Sequence, residues 1–101
     1  MKVAVTAKSP ELDSEVDPRF GRCANFLIVE TDDMSFEVAA NDSSAAGGGA
    51  GIQAGQLMAD KDVKAVLTGN CGPNAFRTLE AAGIDVVVGV AGTVRVAVAA
   101  Y

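Results

Sequence analysis

Residues 65–82 compress a complete strand–turn–helix unit into a short stretch. A continuous apolar run, Ala65-Val66-Leu67-Thr68, breaks at Gly69-Asn70-Cys71-Gly72-Pro73-Asn74, and a helical pattern follows over 75–82. An apolar run without alternation fits a strand covered on both faces, and such strands belong to sheets with helices on either side. Proline suits the first helical position, and Gly83 suits the helix end. The same grammar then repeats, with a strand over 85–88, the turn Gly89-Val90-Ala91-Gly92-Thr93, and a last segment over 94–101. Strands joined through helices by such short connections run parallel. The unit therefore commits the chain to an α/β layer structure rather than a sandwich or a bundle.

The rest of the chain is consistent with that frame. Lys2-Val3-Ala4-Val5-Thr6 reads as a central strand, and residues 8–24 read as an ordered loop longer than a simple connection needs, with Leu12 and Phe20 among its charges. Residues 25–31 and 35–40, separated by Asp32-Asp33-Met34, have the spacing of a β-hairpin. Residues 41–51 are polar and then glycine-rich, and they open onto a helix in which Ile52, Ala54, Leu57 and Met58 share an apolar face while Gln53, Gln56, Asp60 and Lys61 point outward. The tail can be read two ways. Its alternating valines suit a strand, whereas Thr93 as a cap with Val94, Ala97, Val98 and Tyr101 at helical spacing suits a helix, and we read it as a helix. At 101 residues the expectation is one domain, 1–101, able to bury roughly 60–70% of its chain surface without metal or disulfide.

Several function classes are excluded by what the residues cannot do. Thirteen acidic against eight basic residues give a net charge of −5, which argues against a general nucleic-acid or anionic-membrane surface. No segment approaches the roughly 20 apolar residues of a membrane span, and the chain opens on a strand rather than a signal peptide, so a cytoplasmic location is expected. There is no histidine, which removes histidine-based acid–base and nucleophilic sites and histidine-ligated metals. The pairs Asp32/Asp33 and Asp60/Asp62 sit at a hairpin turn and a helix end, where solvation is their expected role. The chain therefore lacks an evident general acid or base, and no enzymatic activity is expected.

What remains is binding. In open α/β sheets ligands settle outside the carboxyl ends of parallel strands, and the 69–74 corner offers backbone N–H groups, a helix N-terminus and the Cys71 thiol there. The first loop adds Asp17-Pro18-Arg19-Phe20-Gly21-Arg22-Cys23, two guanidinium groups, an aromatic and a thiol suited to an anion. A blander reading pairs Arg19 and Arg22 with Asp13, Glu15 or Asp17. Gly49-x-Gly51-x-x-Ala54 matches a dinucleotide fingerprint only formally, since it follows a hairpin and Asn70 stands where an acidic residue is needed; a Walker lysine is also absent. Cys23 and Cys71 stand in no zinc-like spacing, and either could be a small buried residue.

Taken together, the segments Asp13-Ser14-x-Val16-Asp17-Pro18-Arg19-Phe20-Gly21-Arg22-Cys23, Gly47-Gly48-Gly49-Ala50-Gly51-Ile52-Gln53, Thr68-Gly69-Asn70-Cys71-Gly72-Pro73-Asn74-Ala75-Phe76, and Ala82-Gly83-Ile84 with Gly89 and Gly92-Thr93 resemble the dinitrogenase iron–molybdenum cofactor biosynthesis family, the NifX/NafY-like domains. The resemblance spans Met1 to Tyr101. It implies a ribonuclease H-like α/β fold, three layers around a five-stranded mixed sheet, and an association with metal–sulfur clusters. Among small stand-alone relatives of this kind, the orange proteins hold a molybdenum–copper–sulfide cluster without covalent attachment.

The expectation that follows is a small carrier for an anionic metal–sulfur cluster, containing iron, molybdenum, or molybdenum and copper with sulfide, that acts by sequestration and not turnover. Arg19 and Arg22 would supply charge; Phe20, Gly21, Gly48, Gly49, Gly51, Asn70, Gly72 and Asn74 would line the site; Cys23 and Cys71 are candidate metal ligands. A protein partner in cluster assembly would fit this role. Two other readings stand beside it: a cofactor-free module that docks on a partner protein through apolar loop tips, and a phosphate or nucleotide binder that uses the same helix N-termini.

Overall fold

The computed structural model describes residues 1–41 and 50–101. Its elements are β1 (Lys2–Ala7), β2 (Asn25–Glu30), β3 (Phe36–Ala40), α1 (Ala50–Asp60), β4 (Ala65–Leu67), α2 (Pro73–Ala81), β5 (Asp85–Val87) and α3 (Val94–Ala100). The five strands form one mixed sheet in the order β3-β2-β1-β4-β5. β1, β4 and β5 are parallel, and β2 is antiparallel to both β1 and β3. With α1 and α2 on one face and α3 on the other, this is the three-layer α/β/α arrangement with a mixed sheet that the resemblance implies.

The middles of the central strands, 3–5, 26–29 and 65–67, are apolar at every position because each face has its own core. Val3, Val5, Leu27, Val29, Ala65 and Leu67 point to the side covered by Val94, Ala97 and Val98 of α3 and by Leu12 and Val16 of the first loop. Ala4, Phe26, Ile28 and Val66 point to the side covered by Ala54, Met58, Ala75 and Leu79 of α1 and α2. The hairpin turns at Met34, whose φ of 62° is unusual for a side-chain-bearing residue, and Asp33 Oδ1 supports it by accepting from the Ser35 N–H and hydroxyl.

The tail is a helix. Thr93 Oγ1 accepts from the Val96 N–H at 3.2 Å, a side-chain N-cap, and helical spacing buries Val94, Ala97 and Val98 while Val96 stays exposed.

One detail of α1 differs from the sequence reading. Ile52 is exposed, because the inner face of the helix runs through Gly51, Ala54, Gly55 and Met58, at i, i+3, i+4 and i+7. The glycines let α2 come close: a Cβ on Gly51 would lie 3.0 Å from Ala75 Cβ, and one on Gly55 would lie 2.8 Å from Thr78 Cγ2. Both contacts advance in the same direction along the two helices, so α1 and α2 run parallel and their N-termini share one end of the sheet. Among the described residues, no helix is long and apolar enough to cross a membrane.

The assignment of faces is testable by core truncation. Met58→Ala, at a fully buried site, is expected to cost about 2–4 kcal/mol in urea denaturation, and Ile52→Ala less than about 1 kcal/mol.

Candidate functional site

The carboxyl ends of β1, β4 and β5 share one rim. After β1 the chain moves onto the α3 face, where Leu12 and Val16 are buried, whereas after β4 it enters α2 on the opposite face. Adjacent parallel strands whose connections diverge leave a crevice between them, the usual ligand position in such sheets. Thr6 and Thr68 stand there side by side, fully buried, with their hydroxyls 2.9 Å apart.

The long first loop is fixed to this rim at many points. Thr6 Oγ1 donates to the Asp17 carbonyl at 2.6 Å, and the Asp17 N–H donates to the Thr6 carbonyl at 2.8 Å. Val16 N–H donates to Gly92 O, while Val94 and Arg95 at the start of α3 donate to Ser14 O and Leu12 O. Arg95 Nε reaches Asp13 Oδ1 at 2.9 Å and Lys8 Nζ reaches Glu15 at 3.2 Å, so two of the carboxylates proposed as partners for Arg19 and Arg22 have cations of their own.

From Asp17 the loop crosses over the β4–α2 corner. A Cβ on Gly69 would lie 2.6 Å from Pro18 Cα, closer than real carbon atoms approach, so the crossing requires glycine. Phe20 N–H then donates to Asn70 O at 3.0 Å, and Arg19 and Asn70 form a parallel bridge. Arg19 is held from behind by the buried Asp17 carboxylate, which accepts from its N–H at 3.0 Å and lies 3.5 Å from Nε, yet its side chain remains 66% exposed. Gly21, with φ of 90°, turns the chain back. Asn41, buried at the end of β3, donates from Nδ2 to the carbonyls of Gly21 and Cys23, both at 2.9 Å, and so fixes the far side of the turn.

This geometry separates the candidate residues. Arg19, Arg22, Asn70, Gly72 and Asn74 are exposed at the rim, and Gly51 places the start of α1 beside α2. Phe20 faces inward, its ring centroid 5.5 Å from that of Phe26, and Gly21 is buried; both shape the loop rather than line a surface. Gly48 and Gly49, with Gly47, lie outside the described residues.

Cys23, a candidate metal ligand, faces the core rather than the rim. It is fully buried, and desolvation, reinforced by the Asp17 charge, pushes its thiol up to about 12. Cys71 is half-buried, and desolvation raises its thiol as well. Both are free thiols held away from the reactive thiolate form. Among the described residues no group of three or more Cys, Asp or Glu side chains is placed to hold a metal ion, and the chain has no histidine.

The α2 N-terminus is the open part of the rim. Gly72 is its N-cap residue and makes no side-chain cap, and among the described residues a Cβ at Gly72 would meet nothing within 4 Å. Glycine at the N-cap position brings no side chain of its own to the first N–H groups of the helix. Sequence reasoning found this corner but missed Asn41, Thr6 and Thr68. The threonines carried a readable signal, since each ends an apolar strand run on the same rim; Asn41 looked like the start of a polar loop.

The family model for the dinitrogenase iron–molybdenum cofactor matches residues 1–101. The chain belongs to that family. Among solved structures of similar fold, the apo form of the orange protein from Desulfovibrio gigas superposes with a TM-score of 0.94 at 45% identity, covering 97% of this chain and 83% of that one. A candidate NifB protein from Thermotoga superposes at 0.84 with 36% identity, covering 98% and 84%. An uncharacterized protein of Methanocaldococcus jannaschii is 33% identical over 89 residues, 85% of this chain and 72% of that relative.

The buried thiol makes a prediction about pH. Unfolded, Cys23 ionises near pH 9; folded, it stays protonated to about 12. A raised acid pKa contributes stability that is fully present below pH 9 and is lost as pH rises toward 12. Relative to Cys23→Ala, wild-type stability in urea should therefore fall above pH 9 by up to about 1.4 kcal/mol per pH unit, with no difference in slope below pH 8.

Proposed function

We propose that this protein binds and carries an anionic metal–sulfur cluster in the crevice between the first loop and the α2 N-terminus, and that it is a carrier and not an enzyme. The observation that carries the reading is the α2 N-terminus, where Gly72 supplies no side-chain cap two residues after Asn70, the bridge partner of Arg19, whose side chain is 66% exposed. A helix N-terminus presents N–H donors and partial positive charge, and Arg19 and Arg22 add full charge in a chain that is acidic overall. The family's link to the iron–molybdenum cofactor and the 45% identity to the orange protein support a metal–sulfur cargo.

The donor set also bears on how such cargo would be held. Among the described residues no multi-carboxylate or multi-thiol group offers a bare metal ion a coordination sphere, which favours a metal that arrives with its own sulfide ligands. A sulfide-rich anion needs what the crevice has: N–H donors, guanidinium charge and close backbone approach. Capture is then electrostatic, with Cys71 a neighbour of the cargo rather than its ligand. Molybdenum–copper–sulfide is the cluster we favour, on the likeness to the orange protein.

Anaerobic reconstitution with tetrathiomolybdate and copper tests this. Wild type and Cys71→Ser should both acquire charge-transfer absorption that co-migrates on gel filtration. Gly72→Asp should lose uptake at least tenfold while remaining as stable as wild type or gaining about 0.5–1 kcal/mol, because an aspartate caps the helix and repels the anion. Arg19→Gln and Arg22→Gln should each weaken uptake. Loss of uptake on Cys71→Ser alone would replace electrostatic capture with thiolate ligation, and absence of any bound chromophore in wild type would remove this cluster as the cargo.

A further inference from the structure

The sheet has two edges, and only one is guarded. β5 is three residues long, which blunts it as a template for pairing. β3 is five residues long, carries no proline, lysine or bulge, and pairs with β2 alone among the described strands. Its side chains are unusual for an edge: Phe36 and Val38 are each 41% exposed. Both belong to the α3 face, since their partners Val29 and Leu27 lie in that core, but α3 and the first loop cover the sheet no further than β2.

The hydrogen-bond phase of β3 is fixed by the ladder. Glu30 N–H donates to Ser35 O at 2.8 Å and Asn41 N–H donates to Ala24 O at 3.1 Å. Bonded and non-bonded pairs alternate in an antiparallel ladder, so the pairs Ile28↔Glu37 and Phe26↔Ala39 are bonded ones. Ser35, Glu37, Ala39 and Asn41 therefore turn their backbone groups toward β2. Phe36, Val38 and Ala40 turn theirs to the outer edge.

We infer that β3 pairs antiparallel with β3 of a second copy of this chain, with Val38 on the twofold axis. In that register Val38 faces Val38 of the second copy, and Phe36 faces Ala40, so a large side chain meets a small one on the exposed apolar face. All three pairs fall in the bonding phase, each exchanging two N–H···O bonds. The one charge in the strand, Glu37, faces Ala39 of the second copy on the other side of the sheet and has Lys61 of its own chain 3.6 Å away, so no like charges are brought together. The strand is thus self-complementary, as a twofold interface requires. Because β3 runs in the same direction as β1, the twofold sends the two crevices to opposite ends of a continuous ten-stranded sheet, and each copy keeps a complete site of its own.

Sedimentation velocity combined with amide hydrogen exchange tests this on the full chain. Between about 10 μM and about 1 mM, a range over which weak pairing becomes visible, the mass should rise from 10.2 kDa toward twice that value. Over the same range, exchange at the Phe36, Val38 and Ala40 amides should slow by about tenfold or more. Val38→Lys, at an exposed position, places two ammonium groups opposite each other and should stay monomeric with those amides fast at every concentration. Phe36→Lys should behave alike. A wild-type protein that remains monomeric throughout, a dimer in which the three amides are unchanged, or a folded Val38→Lys protein that still dimerises would each overturn the inference.

Discussion

The site depends on one buried cluster, the Thr6 hydroxyl with the Asp17 carbonyl and the Thr68 hydroxyl. It ties the ends of β1 and β4 to each other and to the first loop, so the crevice between two diverging connections has a fixed wall. Each such hydrogen bond contributes about 1 kcal/mol net, but a buried hydroxyl or carbonyl left without its partner costs about 1–3 kcal/mol. Losing any member therefore harms more than its own contact. The next steps of the loop start from this cluster, the crossing of Pro18 over Gly69 and the bridge from Arg19 to Asn70.

That cluster also explains why a long, charged loop can present Arg19 and Arg22 in an ordered way. The first half of the loop is bound to the start of α3, and the second half is held by Asn70 on one side and Asn41 on the other. Phe20 anchors the bend in the core while Gly21 supplies the backbone angle that returns the chain to β2. Three of the four acidic residues along the loop are engaged locally, Asp13 with Arg95, Glu15 with Lys8 and Asp17 with Arg19, which leaves the rim less negative than the composition implies. A rim ordered in this way would lose little entropy on binding a ligand, which favours the proposed capture of an anion.

Much of the architecture was legible because local and global signals agree. The apolar run 65–68 and the corner 69–74 announce a strand buried on both faces and a helix entering from its end. Thr93 as a side-chain cap settles the tail as a helix over the competing strand pattern. The misreadings have specific causes. Ile52 was expected inside because hydrophobicity was used to find the helix face, whereas close packing against α2 selects Gly51 and Gly55. The place of Cys23 was open in the sequence, where a thiol one residue after Arg22 suits either a ligand or a small buried residue, and the turn at Gly21 sends its side chain into the core. Asn41 was invisible because its role is to satisfy carbonyls 20 and 18 residues earlier in the chain, a long-range match that no local pattern records.

The central claim is that backbone N–H groups at the start of α2 and the Arg19–Arg22 turn hold an anionic cluster together. Amide chemical-shift mapping during titration with the tetrathiomolybdate–copper product tests it most directly. The account predicts that the largest shifts fall on Asn74, Ala75, Arg19 and Arg22, with the β5 and hairpin amides unmoved. Shifts concentrated away from the α2 start and the first loop, with binding still present, would contradict it.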